Sequence, residues 1–169
     1  MRPRASRPQQ GWLAAGGRVF PCALGRGGVR ARKREGDGAT PIGTFRFRAA
    51  FAPEDGRVKA ARLPFRRVGS LDGWCDASGD RNYNRAVALP YRASHERLRR
   101  DDHLYDMVLV PDHNRAALGR GARGQGSAVF VHLARPGYTP TEGCVALLRR
   151  DMEWLWSRVG PGTRLAIGL

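Results

Sequence analysis

Lysine is almost absent from this sequence, and several features that would have pointed to other functions are missing with it. Of 30 basic residues, only Lys33 and Lys59 are not arginine. No run approaches the roughly 18 apolar residues of a membrane-spanning helix, so no membrane span is expected. Cys22, Cys75 and Cys144 form no CxxC pair, and none of the four histidines stands at ligand spacing to them, so no metal and no cofactor is expected. The opening MRPRASRPQQ is basic, and the stretch after it, GWLAAGGRVFPCALGRGG, is broken by glycine and arginine. No secretory signal with a clean apolar centre and a cleavage site is legible there. Nor is there a block of five or six like charges, or a zinc-finger, RNA-recognition or basic-zipper pattern, so nucleic acid is not the expected partner.

A formal charge of +15 remains. It fits an arginine-rich codon bias, and it equally fits attraction to an anionic polymer, including one with free carboxylates. The length of 169 residues suits one domain with its own core. Residues 1–10 are expected to be a flexible basic segment, and 11–169 the domain.

Short apolar segments bounded by Gly, Pro, Asn and Asp recur at spacings that predict strands over 12–15, 18–24, 28–33, 43–50, 86–89, 105–111, 126–134, 144–148 and 163–169. Two helical patches are expected, at 94–100 and 150–159. In the second, Met152, Leu155, Trp156 and Val159 form one apolar stripe that Gly160-Pro161-Gly162 ends, so its tryptophan belongs to the core. Residues 51–79 are expected to hold long loops. The fold class is therefore mainly β with a few short helices.

The chemistry concentrates in GSAVFVHLARPGYTPTEGCVAL, Gly126 to Leu147. Residues 128–134 are almost continuously apolar yet contain His132, and a buried imidazole needs partners for its nitrogens. A turn-rich loop follows, then Gly143-Cys144 opens a second apolar segment. That order predicts two neighbouring strands carrying a thiol and a base, the pair that cysteine nucleophiles use. Gly143, without a Cβ, allows a turn in which backbone amides face a developing oxyanion. Glu142 would raise the thiol pKa unless it faces substrate or an arginine such as Arg135.

The strand histidine followed by Thr141-Glu142-Gly143-Cys144-Val145 resembles the L,D-transpeptidase catalytic domain of the YkuD type. Glu35-Gly36-Asp37-Gly38-Ala39-Thr40-Pro41-Ile42-Gly43-Thr44-Phe45 is similar to a second element of that family. Tyr83-Asn84, Ser94-His95-Glu96, Tyr105-Asp106 and Gly126-Ser127 resemble a proteobacterial branch of it, so the likeness covers residues 11–169. Where the family usually has histidine before Gly-Cys and arginine two positions after it, this chain has Glu142 and Ala146.

The resemblance implies a single β-sandwich or barrel domain acting on peptidoglycan stem peptides. Cys144 would be the nucleophile, His132 the general base, and the Gly143 backbone part of an oxyanion hole. Arg135, Tyr138, Thr141, Glu142 and His95 are candidate substrate contacts, with Arg135 placed to clamp a stem carboxylate. The implied reaction releases D-alanine from a donor stem and joins the acyl group to an acceptor amine in a 3,3 or 1,3 cross-link. With water as acceptor the same site would be a carboxypeptidase or hydrolase, and a chain without turnover would be a binder of an anionic polymer. The substrate implies the periplasm or cell envelope.

Overall fold

Alternating apolar and polar side chains fold the chain into short strands in the computed structural model, which describes residues 1–119 and 121–169. The first strands are β1 (Arg2–Arg4), β2 (Arg7–Ala15), β3 (Arg18–Ala23), β4 (Val29–Arg30), β5 (Thr40–Pro41) and β6 (Gly43–Pro53). Then come β7 (Phe65–Val68), β8 (Asp72–Cys75), β9 (Arg85–Ala88), β10 (His95–Arg97) and β11 (Val108–Pro111). The chain ends with β12 (Val131–Leu133), β13 (Val145–Leu147), the helix α1 (Arg149–Trp156) and β14 (Arg164–Ile167).

The main sheet runs β1-β2-β3-β13-β12-β11-β6-β14, with β7 alongside β6. Its two ends meet at Met1, whose ammonium donates to Ala166 O at 2.6 Å and whose carbonyl accepts from Gly168 N at 3.1 Å. The sheet is thereby nearly closed. A second sheet, β10-β8-β9, covers part of it, and β4 pairs with β5 separately. None of the helices among the described residues is long and apolar enough to cross a membrane.

Side-chain alternation splits the central strands between two cores. Val131, Leu133, Val145, Leu147 and Leu109 face an aliphatic core with Met152, Leu155, Trp156 and Val159 from α1 and just beyond it. Each such buried side chain contributes roughly 1.5–3 kcal/mol relative to exposure. On the opposite face Phe130, Cys144, Val108 and Val110 pack with Trp74, Leu98 and Tyr105. The candidate nucleophile therefore lies on the face that meets the small sheet.

Several local expectations change. Residues 1–10 supply β1 and the first four residues of β2, paired in antiparallel register and tied to β14 through Met1. The helix expected at 94–100 is replaced by β10, because His95, Glu96 and Arg97 pair with Cys75, Trp74 and Gly73. The expected loops of 51–79 contain β7 and β8, and the strand expected over 126–134 is regular only at 131–133. The predicted helix is α1, with its stripe buried as expected.

Candidate active site

β12 and β13 are parallel neighbours in the register Val131↔Val145, His132↔Ala146. Cys144 stands two positions before Ala146, so it shares a face with His132 as its diagonal neighbour across one strand gap. From strand spacing the two backbones are roughly 8 Å apart there, within the combined reach of a thiol and an imidazole.

Both groups are buried, and burial favours the neutral form of each. Cys144 is 7 % exposed. Its Sγ donates to Ala128 O at 3.1 Å and accepts from Phe130 N–H at 3.3 Å. Burial first, and then the charge of Glu96, pushes its pKa up to about 12, with the Phe130 amide and Lys33 acting the other way. His132 is 6 % exposed. Burial lowers its pKa to about 4, and Arg100 and Arg135 add to that against the hydrogen bond to Leu133. Its Nδ1 lies 2.8 Å from Leu133 O, and since a carbonyl only accepts, Nδ1 carries the proton. Nε2 of the neutral ring is then the basic nitrogen. The ring meets the edge of Tyr105 at 5.2 Å.

The hydrogen bonds of the thiol run to the 128–130 backbone, and that segment is pinned by a residue far away in sequence. Buried Asn84 accepts from Ala128 N at 3.1 Å and Trp74 Nε1 at 3.0 Å, and donates to His113 O at 3.1 Å and Asn114 O at 3.0 Å. Ala128 itself sits at φ +48°, a strained conformation costing roughly 1–2 kcal/mol. Such strain persists only where the surroundings over-determine it, and here the Asn84 bond and the thiol do so.

Gly143 has φ +134°, and a Cβ there would come within 2.8 Å of Ala39 O. Only glycine fits. The Ala39 strand end is fixed by Asp37, which accepts from Ala39 N at 2.8 Å and pairs with the buried Lys33 at 2.5 Å. The GD…TP stretch and the Gly-Cys turn thus meet physically. Thr141 holds the turn from within: its Oγ1 donates to Cys144 O at 2.7 Å and accepts from Gly143 N at 3.2 Å.

The remaining candidates divide. Glu142 is exposed and pairs with Arg26 at 2.7 Å, so its partner is an arginine, though not Arg135, and its charge still adds a small push upward to the Cys144 pKa. Arg135 instead reaches Asp102 at 3.3 Å. Asp102 is already gripped by Arg100 at 2.6 and 2.9 Å, and that guanidinium lies over the Tyr105 ring at 5.1 Å. Arg135 therefore stands at the rim of the His132 side of the site with donors to spare. Tyr138 lies in a turn beside α1, feeling Asp151 and Arg150, and is not brought to the thiol. His95 bonds Ala93 O at 2.8 Å and packs against Tyr91, one residue from Glu96 on the alternate side of β10.

Local pattern gave no separate weight to Lys33, Asn84, Glu96 and Tyr105. Signals did exist: Lys33 is a rare lysine two residues before the GD…TP stretch, and Asn84, Glu96 and Tyr105 stand in the segments that resemble the family. Among the described residues no group of His, Cys, Asp and Glu could hold a metal ion.

A family model for the L,D-transpeptidase catalytic domain, YkuD, matches residues 5–167. No curated protein and no solved structure matches.

Proposed function

The chain belongs to the YkuD family of L,D-transpeptidase catalytic domains, enzymes of peptidoglycan, and from that premise we propose that it is a cysteine acyltransferase working through Cys144 and His132. The observation that carries this reading is their shared face on adjacent parallel strands, with Nδ1 of His132 tied to Leu133 O and Nε2 left as the base.

In the resting enzyme the thiol keeps its proton, directed at Ala128 O. When a donor stem enters, the proton passes from Sγ to His132 Nε2, and the sulfur adds to the carbonyl of the L-centre of diaminopimelate. The oxyanion is met by the Cys144 amide, and by the Gly143 amide once it leaves Thr141 Oγ1. The tetrahedral intermediate then collapses as His132 returns the proton to the departing D-alanine nitrogen, leaving a thioester. An acceptor amine attacks that thioester, gives its proton to His132, and frees Cys144. Because charge forms in a dry site, each fixed donor counts for more there than in water.

Arg135 and Arg100 at the rim suit the free carboxylates of the stem. The exposed Glu142–Arg26 pair occupies the lip where the family usually presents histidine, so the acceptor is chosen there by different contacts, in a 3,3 or a 1,3 cross-link. A peptidoglycan substrate supports a location in the periplasm or cell envelope.

The test is to incubate the protein and Cys144→Ala with purified tetrapeptide muropeptides and follow masses. Release of D-alanine with dimers supports the transferase, and release without dimers makes water the acceptor. No release by the wild type contradicts the catalytic reading.

A further inference from the structure

Acidic side chains are outnumbered two to one in this chain, 15 against 30, yet two of them converge on the thiol side of the small sheet. Glu96 on β10 stands opposite Trp74 on β8. Asp76 follows Trp74 by two positions, and its N–H donates to Ser94 O at 3.2 Å, which extends the same ladder by one step. Alternation therefore puts Asp76 and Glu96 on the Trp74 face. Trp74 packs edge-on against Phe130 at 5.1 Å, and Phe130 N–H is the donor to Cys144 Sγ.

These carboxylates are under-served. Glu96 accepts the Tyr105 hydroxyl on one oxygen, and Tyr105 in turn contacts both Phe130 and His132. Arg100, a nearby guanidinium, commits two donors to Asp102. Asp76 Oδ1 is buried with no hydrogen-bond partner among the described residues. Buried polar atoms are almost always satisfied, so this orphaned carboxylate oxygen, close enough to Glu96 to act on its charge, calls for a donor. Glu35 differs: its Oε2 is held by Tyr83 and by Ser127 at 2.9 Å.

We propose that Glu96, supported by Asp76, is the residue that selects the donor by receiving a primary ammonium group carried on the side chain beside the scissile carbonyl. An ammonium is compact and presents three donors, so one group can serve both carboxylates, whereas a guanidinium needs a planar fork. Glu96 also lines a surface cavity of about 550 Å³ together with His95, Arg100 and Asp102, which sets arginines beside it for a carboxylate. Pairing has a second effect. The charge of Glu96 is among the causes that hold the Cys144 thiol up, so neutralising it eases ionisation when the right donor is bound.

The inference rests on the proposed function for its substrate, so binding and turnover are measured separately. In the Cys144→Ala background, a tetrapeptide stem with a free diaminopimelate side-chain amine is compared by calorimetry with the same peptide N-acetylated at that amine. The free amine is expected to bind at least about tenfold tighter, the range for a lost charged hydrogen bond. Adding Glu96→Gln is expected to bring that ratio close to one, and Asp76→Asn to reduce it in part. Retention of the full ratio in both variants would overturn the proposal, as would its absence at the start. Asp76→Asn, judged by its own thermal melt, carries the test if Glu96→Gln does not fold. Discrimination in binding without D-alanine release by the wild type sustains the ammonium site and removes the transferase. Release without discrimination does the reverse.

Discussion

The two faces of β12 and β13 are equally buried and chemically opposite. One presents Val131, Leu133, Val145 and Leu147 to the aliphatic core over α1. The other, one residue out of phase, presents Phe130, His132, Cys144 and Ala146, with Tyr105 and Glu96 facing them. The difference teaches where stability and reactivity are stored. The first face holds the strands in register, and the second uses that register to set a thiol and an imidazole on one face, where burial disfavours the charged form of each.

The sharpest way to break the comparison is a crossed pair of substitutions. Cys144→Ala is expected to cut D-alanine release by at least about a thousandfold while lowering stability by only about 1 kcal/mol. Leu147→Ala, on a fully buried side chain of the other face, is expected to cost about 2–5 kcal/mol. Urea unfolding beside turnover per folded molecule checks both, and a Leu147→Ala protein that is stable but inactive would dissolve the distinction.

His132 links the two properties. His132→Gln is expected to slow turnover by about 10²–10⁴-fold. The folded-state pKa of about 4 lies below the ordinary 6.5, so the unfolded chain binds a proton that the folded one refuses. Stability is then full above pH 6.5 and falls between 6.5 and 4 by about 1.4 kcal/mol per pH unit. In His132→Gln this part of the slope should vanish, leaving that from His113, another buried histidine with a lowered pKa. Cys144 has the opposite sign: its raised pKa means stability lost as pH climbs above the ordinary thiol value toward about 12.

Smaller effects belong to the turn before the nucleophile. Thr141→Val removes the hydroxyl that joins Gly143 N to Cys144 O and is expected to cost about 1–2 kcal/mol, with a larger fall in kcat than rise in KM. Glu142→Gln breaks only an exposed pair with Arg26, so less than about 1 kcal/mol is expected in a thermal melt. Its reading is in product ratio, where a changed proportion of dimers to free stems would show that the lip chooses the acceptor.

What was legible in the sequence follows the same division. The apolar stripe of α1, the strands about Phe20, Phe47, Val110 and Leu165, and the neighbouring apolar segments that carry His132 and Cys144 announce themselves locally, by period or by a polar residue in an apolar run. β10 did not, because Ser94 followed by His95-Glu96-Arg97 suits a short helix until β8 supplies its partners. The basic opening looked solvated, yet its alternation suits a strand once Met1 meets β14. Asn84 and Glu96 stood out only as parts of family-like segments, and what they touch was hidden for a stronger reason: their partners lie 44 residues away at Ala128, and at Tyr105 and Cys144 in other elements. No local pattern encodes such contacts.

The central claim is that Cys144 forms a covalent acyl intermediate with His132 as its base. Mixing the protein with a tetrapeptide stem and quenching in acid for intact-mass and peptide-level mass spectrometry tests it. The account predicts a thioester on the Cys144 peptide, one D-alanine released per adduct, and accumulation greatly slowed in His132→Gln. D-alanine release by Cys144→Ala, or an adduct on another residue, would contradict it.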